Sequence, residues 1–233
     1  MWVKNTNQNH DIDIGAELAK EPAVKMKKDG TIQILIYHTH TTEAFAGSSR
    51  TQDNSQNVVA VGEEIKKQLE AAGFGVVHDT TCHDYPSYNG AYDRSGETIQ
   101  RNLEKYPDIQ VTLDVHRDAM GTQDGIRLKP TAMIQGKKAA QIMIISGCDD
   151  DGTLGFPDWE YNLRLGVRVQ KSLSDLYPGL ARPLSFCPRK YNEHMTKGSL
   201  LVEFGTEVNT LEEVKYSGQL FGKALAETLN QLT

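Results

Sequence analysis

The run Ile34-Leu35-Ile36-Tyr37-His38-Thr39-His40-Thr41-Thr42-Glu43 constrains this chain more than any other segment. Its consecutive apolar residues specify a strand buried on both faces, the kind that parallel sheets use. The run then turns polar without a break. Two imidazoles and a carboxylate are therefore delivered to the C-terminal end of the strand. In open α/β sheets, ligands bind at that end. His40 and Glu43, in His-x-x-Glu spacing, offer one nitrogen and one oxygen to a single ion, which suits zinc.

Downstream, strand and helix patterns alternate. Asn54 or Ser55 is placed to cap a helix whose apolar stripe is Val58, Val61, Ile65, Leu69 and Ala72, with Gly73 as its stop. A short strand at 74–77 and a loop at 80–92 follow, then a helix at 94–106 ended by Pro107. A strand at 110–115 runs into His116. Residues 119–137 form an excursion with hairpin character, and a buried strand follows at 141–145. A helix is expected at 161–177. The strand at 200–202 runs into Glu203, and Thr210 with Glu213 forms a capping box for the last helix. This pattern predicts an α/β fold. It is a single domain with a mostly parallel twisted sheet flanked by helices on both faces. Residues 1–30 are polar and aperiodic and read as an N-terminal linker or loosely ordered arm. The catalytic domain is then 31–233.

Composition removes several function classes. A net charge of −6 argues against non-specific nucleic-acid binding. No apolar run approaches the roughly 20 residues of a membrane span, and no signal peptide is visible. The three cysteines, Cys82, Cys148 and Cys187, are too scattered for a disulfide framework or a Cys-x-x-Cys knuckle and read as isolated thiols. His10, His78, His83 and His194 belong to no ligand-spaced group. There is no Gly-x-Gly-x-x-Gly after the first strand, no phosphate loop and no Gly-x-Ser-x-Gly elbow.

Three strands thus end in chemical groups: His38, His40 and Glu43 on the first, His116 on another, Glu203 on the last. Parallel strands bring these ends to one edge of the sheet. Two histidines and one carboxylate leave zinc's fourth position open, as in catalytic sites. A second carboxylate off the metal can then serve as general base.

Ile36-Tyr37-His38-Thr39-His40 is similar to the strand-to-histidine entry of zinc-dependent N-acetylmuramoyl-L-alanine amidases of the amidase-3 type. Leu201-Val202-Glu203-Phe204-Gly205-Thr206-Glu207-Val208-Asn209 looks like their catalytic segment. With Asn57 to Gly62, His83 to Tyr88 and Asp114 to Asp118, the chain resembles the stage II sporulation protein P family over roughly residues 31–231. The resemblance implies a cell-wall hydrolase of spore engulfment. Such a hydrolase cuts the amide between N-acetylmuramic acid and L-alanine, with cross-link endopeptidase activity as well. It further implies a Zn2+ cofactor, peptidoglycan as substrate, and a lytic transglycosylase partner, stage II sporulation protein D, in a membrane-anchor complex. The implied location is extracytoplasmic, in the septal intermembrane space. The full-length protein would be membrane-anchored, and this chain is expected to be a soluble ectodomain.

By the same resemblance His40 and His116 are metal ligands and Glu203 is catalytic. The second ligand is Asp53, by the ordinary amidase pattern, or Glu43, by the compact His-x-x-Glu. Glu43 is favoured because it shares one short turn with His40. His38 then supports a ligand or meets substrate. Arg117 either assists an oxyanion or binds a stem-peptide carboxylate, or is engaged by Asp114 or Asp118. The loop from His83 to Tyr92 carries rings for stacking or core packing. A zinc carboxypeptidase and a non-catalytic wall-binding module are the rival readings.

Overall fold

The structure, a computed structural model, describes residues 3–233. In chain order the elements are β1 (Val3–Asn5), α1 (Ile14–Ala19), β2 (Ile32–Tyr37), α2 (Val58–Ala71), β3 (Gly75–His78), α3 (Ala91–Lys105), β4 (Val111–Asp118), β5 (Thr131–Ile134), β6 (Lys137–Ala140), β7 (Ile142–Gly147), α4 (Trp159–Leu176), β8 (Leu184–Cys187), β9 (Ser199–Thr206) and α5 (Leu211–Asn230). Seven strands form one sheet in the order β1-β8-β7-β9-β4-β2-β3, and β5 and β6 form a separate hairpin. Within the sheet, neighbours run parallel except at the β7–β9 seam. The expected α/β class with a mostly parallel sheet is what the chain adopts. The reversal of β7, β8 and β1 relative to the other four strands was not expected, because strand direction leaves no local mark on a sequence.

The first strand shows how the residues choose their faces. On β2, Ile34 and Ile36 enter the large core shared with Val58, Val61 and Ile65 of α2 and Phe221 of α5. Leu35 and Tyr37, one step out of phase, enter a smaller core with Ile99 of α3 and Ile109. Period-two alternation with both faces apolar is what a central strand needs. The Thr210–Glu213 capping box of α5 is present as read. The cap of α2 is instead Asn57, whose side chain accepts from Val59 N at 2.9 Å. Val58 N donates to Glu43 O, so the helix start is tied to the histidine-bearing loop.

Residues 3–30 depart from the expected loose arm. β1 adds to the sheet edge beside β8. Arg164 and Arg168 of α4 bond Glu17 and the carbonyls of Glu17, Leu18 and Lys20. Val24 and Met26 are buried. These are mainly backbone and arginine contacts, which hydrophobic periodicity does not register.

One glycine is required by a close approach. His38 follows Ile36 in parity and points under α2. Its Nδ1 donates to Val115 O, and its Nε2 meets His78 Nε2 at 2.8 Å. Burial and the neighbouring His78 pull the His38 pKa down to about 3. A Cβ on Gly62 would stand 2.7 Å from His78 Nε2 and 2.9 Å from His38 Cε1. Gly62→Ala should therefore destabilise the protein by about 1–2 kcal/mol, because overpacking outweighs the roughly 1 kcal/mol of helix propensity gained. Urea denaturation checks this, and an unchanged or raised midpoint would refute it.

Candidate metal centre

β9, β4 and β2 are consecutive in the sheet and parallel, so their C-terminal ends form one edge. His116 on β4 is the register partner of Glu203 on β9, which puts both side chains on the same face. The loop after β2 brings the other groups. Thr39 donates to the Asp114 carboxylate through its backbone N at 2.8 Å and its hydroxyl at 2.6 Å. Glu43 N bonds His40 O at 3.0 Å, closing the turn that carries both side chains. Asp84 holds the loop from outside by accepting from Thr42 N, Thr42 Oγ1 and Arg50.

His40, Glu43, His116 and Glu203 are brought together. The rings of His40 and His116 meet edge-on with centroids 5.2 Å apart. Glu43 Oε2 lies 3.5 Å from His116 Nδ1 and accepts from Arg117 N at 3.0 Å. His116 Nε2 lies 2.9 Å from Asp114 Oδ1 but off the hydrogen-bond axis. Burial works against an imidazolium at His116, yet Asp114 and then Glu43 outweigh it and hold its pKa well above 6.5. His40 moves the other way: burial and the nearby His116 charge lower its pKa, leaving a neutral ring with a free lone pair. Glu203 is partly buried with a wholly buried Oε2. Burial, opposed by His116 and reinforced by Glu43, pushes its pKa up to about 8.

The donor chemistry fits zinc. Two imidazoles and a carboxylate converge, and His40 Nδ1 and Glu203 Oε2 are buried with no hydrogen-bond partner, a cost that an ion or substrate group would relieve. Among the described residues, the donor atoms of His40, Glu43 and His116 do not all lie within 4.8 Å of one another. The His116 imidazolium is paired with carboxylates instead, so loading an ion requires that proton to leave.

A sequence profile for stage II sporulation protein P matches residues 3–226. The chain belongs to this family. Stage II sporulation protein P of Bacillus subtilis (strain 168) is 26% identical over 228 residues, covering 89% of this chain and 53% of that protein. The chain thus spans about half the length of that relative. Two solved structures share the fold. N-acetylmuramoyl-L-alanine amidase AmiC2 of Nostoc punctiforme has a TM-score of 0.51 at 12% identity, with 86% of this chain and 96% of that one covered. The catalytic domain of the CD27L endolysin, which targets Clostridia difficile, has a TM-score of 0.53 at 12% identity, with 86% and 97% covered.

In this stage II sporulation protein P family member, other expected residues lie elsewhere. His38 is fully buried and bonded to Val115 O and His78. Both ring nitrogens are thus engaged away from the proposed ligand side chains. Its shared parity with Ile34 and Ile36 already assigned it to the α2 side. Asp53 is exposed, and its carboxylate is occupied by Ser55 N and Oγ. The Arg117 guanidinium donates to Ser49 O at 2.9 Å and Asp118 O at 3.4 Å and lies 3.8 Å from Glu207, while its backbone N serves Glu43. Asp114 was missed as a support for His116, although the i, i+2 spacing on one strand face signals it. Tyr88 was noted only as a loop ring. It stacks on His40 at 4.2 Å and 8°, with Arg50 over its other face at 4.7 Å. Arg50, Asp84, Tyr85 and Tyr88 line an open cleft of about 540 Å³ beside His40.

Proposed function

We propose that the chain is a zinc-dependent peptidoglycan amidase that hydrolyses the amide joining the lactyl group of N-acetylmuramic acid to L-alanine. The observation that carries this reading is the register pairing of His116 with Glu203 beside His40 and Glu43. A buried carboxyl with a raised pKa adjoins a two-imidazole, one-carboxylate donor set. Family membership and the amidase-like fold agree with it.

His40, Glu43 and His116 would hold the zinc, whose chemistry when bound is to polarise the scissile carbonyl and acidify a water. Beside a bound cation Glu203 would be held as the carboxylate, and it would accept a proton from the attacking water as the oxygen bonds to the carbonyl carbon. It returns that proton to the alanine nitrogen as the C–N bond breaks, leaving a lactyl carboxylate and a stem peptide with a free amine. Asp114 fixes the His116 ring, and Arg117 N fixes Glu43. The cleft lined by Arg50, Asp84, Tyr85 and Tyr88 would receive the sugar or peptide.

Peptidoglycan as substrate, action during engulfment outside the cytoplasm, and cooperation with stage II sporulation protein D in a membrane-anchored complex are parts of the same proposal. Among the described residues no helix is long and apolar enough to cross a membrane.

Digestion of purified cell walls tests the reading through its products. Whole stem peptides with free L-alanine amines should accumulate, cease when zinc is chelated, and return when zinc is restored. Single released residues would instead identify a carboxypeptidase. Wall binding without turnover would identify a non-catalytic module.

A further inference from the structure

The opposite edge of the sheet carries a second group of metal-binding side chains. Because β7 runs against β9, its C-terminal end lies at the other edge from His116 and Glu203. There Cys148, just past β7, is fully buried. His10 arrives from the segment after β1, and Asp150 from the loop after β7. One donor atom from each of His10, Cys148 and Asp150 lies within 4.8 Å of the other two.

We propose that His10, Cys148 and Asp150 form a second metal site, for zinc or a similar borderline divalent ion, that fastens the N-terminal segment to the sheet. A thiolate, an imidazole and one carboxylate select against calcium and magnesium, which take oxygen ligands. The site is partly prebuilt. The Asp150 carboxylate accepts from Gln8 N at 3.0 Å and Asn9 N at 2.9 Å, and Asn9 Nδ2 donates to Asp150 O. This clip sets His10 beside Cys148. The His10 ring leans on Trp159, centroids 4.8 Å apart, which limits its rotation. Tetrahedral zinc places its donors roughly 3.3–3.8 Å apart, so closure from a spread within 4.8 Å needs at most about 1.5 Å of side-chain movement. His10 and Asp150 are only half-buried and line an open cleft of about 810 Å³, so an ion has a route in.

Cobalt(II) titration of the full chain tests this independently of the amidase reading, since His40, Glu43 and His116 include no sulfur. A thiolate-to-cobalt charge-transfer absorption should appear and saturate as cobalt is added. It should persist in His116→Ala, Cys82→Ser and Cys187→Ser, and vanish in Cys148→Ser. His10→Ala alters a half-buried loop residue and spares the core thiol. It should weaken cobalt binding at this site more than about tenfold, and it decides the matter should Cys148→Ser fail to fold. Absence of the band in the wild type overturns the proposal. So does a band that survives Cys148→Ser, or an affinity indifferent to His10→Ala.

Discussion

Glu203→Gln should leave a folded protein whose turnover of purified peptidoglycan is about 10²–10⁴-fold lower, the usual worth of a positioned acid–base group. The same substitution should stabilise the zinc-free chain. In the folded state the Glu203 carboxyl holds its proton up to about pH 8, whereas its ordinary value is 4.5. Between those values the unfolded chain is ionised and the folded chain is not. Wild-type stability therefore falls as pH rises from 4.5 towards 8, and glutamine removes that slope. At pH 7 the gain should be about 1–3 kcal/mol, the upper figure being the part of the shift that lies between 4.5 and pH 7 and the lower allowing for partial exposure. Paired turnover assays and denaturant titrations at pH 5 and pH 7 measure both effects. Equal turnover by the two proteins would remove Glu203 from the mechanism.

The second large effect concerns Asp114. This buried carboxylate bonds Thr39 twice and backs His116 at 2.9 Å. Asp114→Asn should weaken zinc binding about 10–100-fold while leaving all three proposed ligands in place. Activity should then recover at high zinc. His116→Ala, which removes a ligand, should not be rescued in this way. Competition against a chromophoric chelator gives the two affinities. Undiminished zinc affinity in Asp114→Asn would mean that the carboxylate serves only to hold Thr39.

The parts of the site legible in the sequence are those with a local signature. His40, Glu43, His116 and Glu203 each follow an apolar strand, and the alternation of elements placed those strands in one sheet. The unread parts depend on partners distant in sequence. His38 carried a readable clue in its parity with Ile36, but its partner His78 lies on the next strand. The stack of Arg50, Tyr88 and His40 joins two loops that no periodicity relates. His10 and Cys148, each unremarkable alone, meet only because β1 and β7 flank β8. The α2 cap was read too early because Asn54, Ser55 and Asn57 have equal capping propensity. The bond from Val58 N to Glu43 O, which selects the last, is tertiary.

The edge position of β1 has a mechanical consequence. Tension drawn along the chain at residue 3 first meets the short pairing of β1 with β8. Strands β8, β7 and β9 stand between that pairing and β4, which carries His116. Those few hydrogen bonds would therefore carry the load ahead of the β2, β4 and β9 register that aligns the proposed catalytic groups.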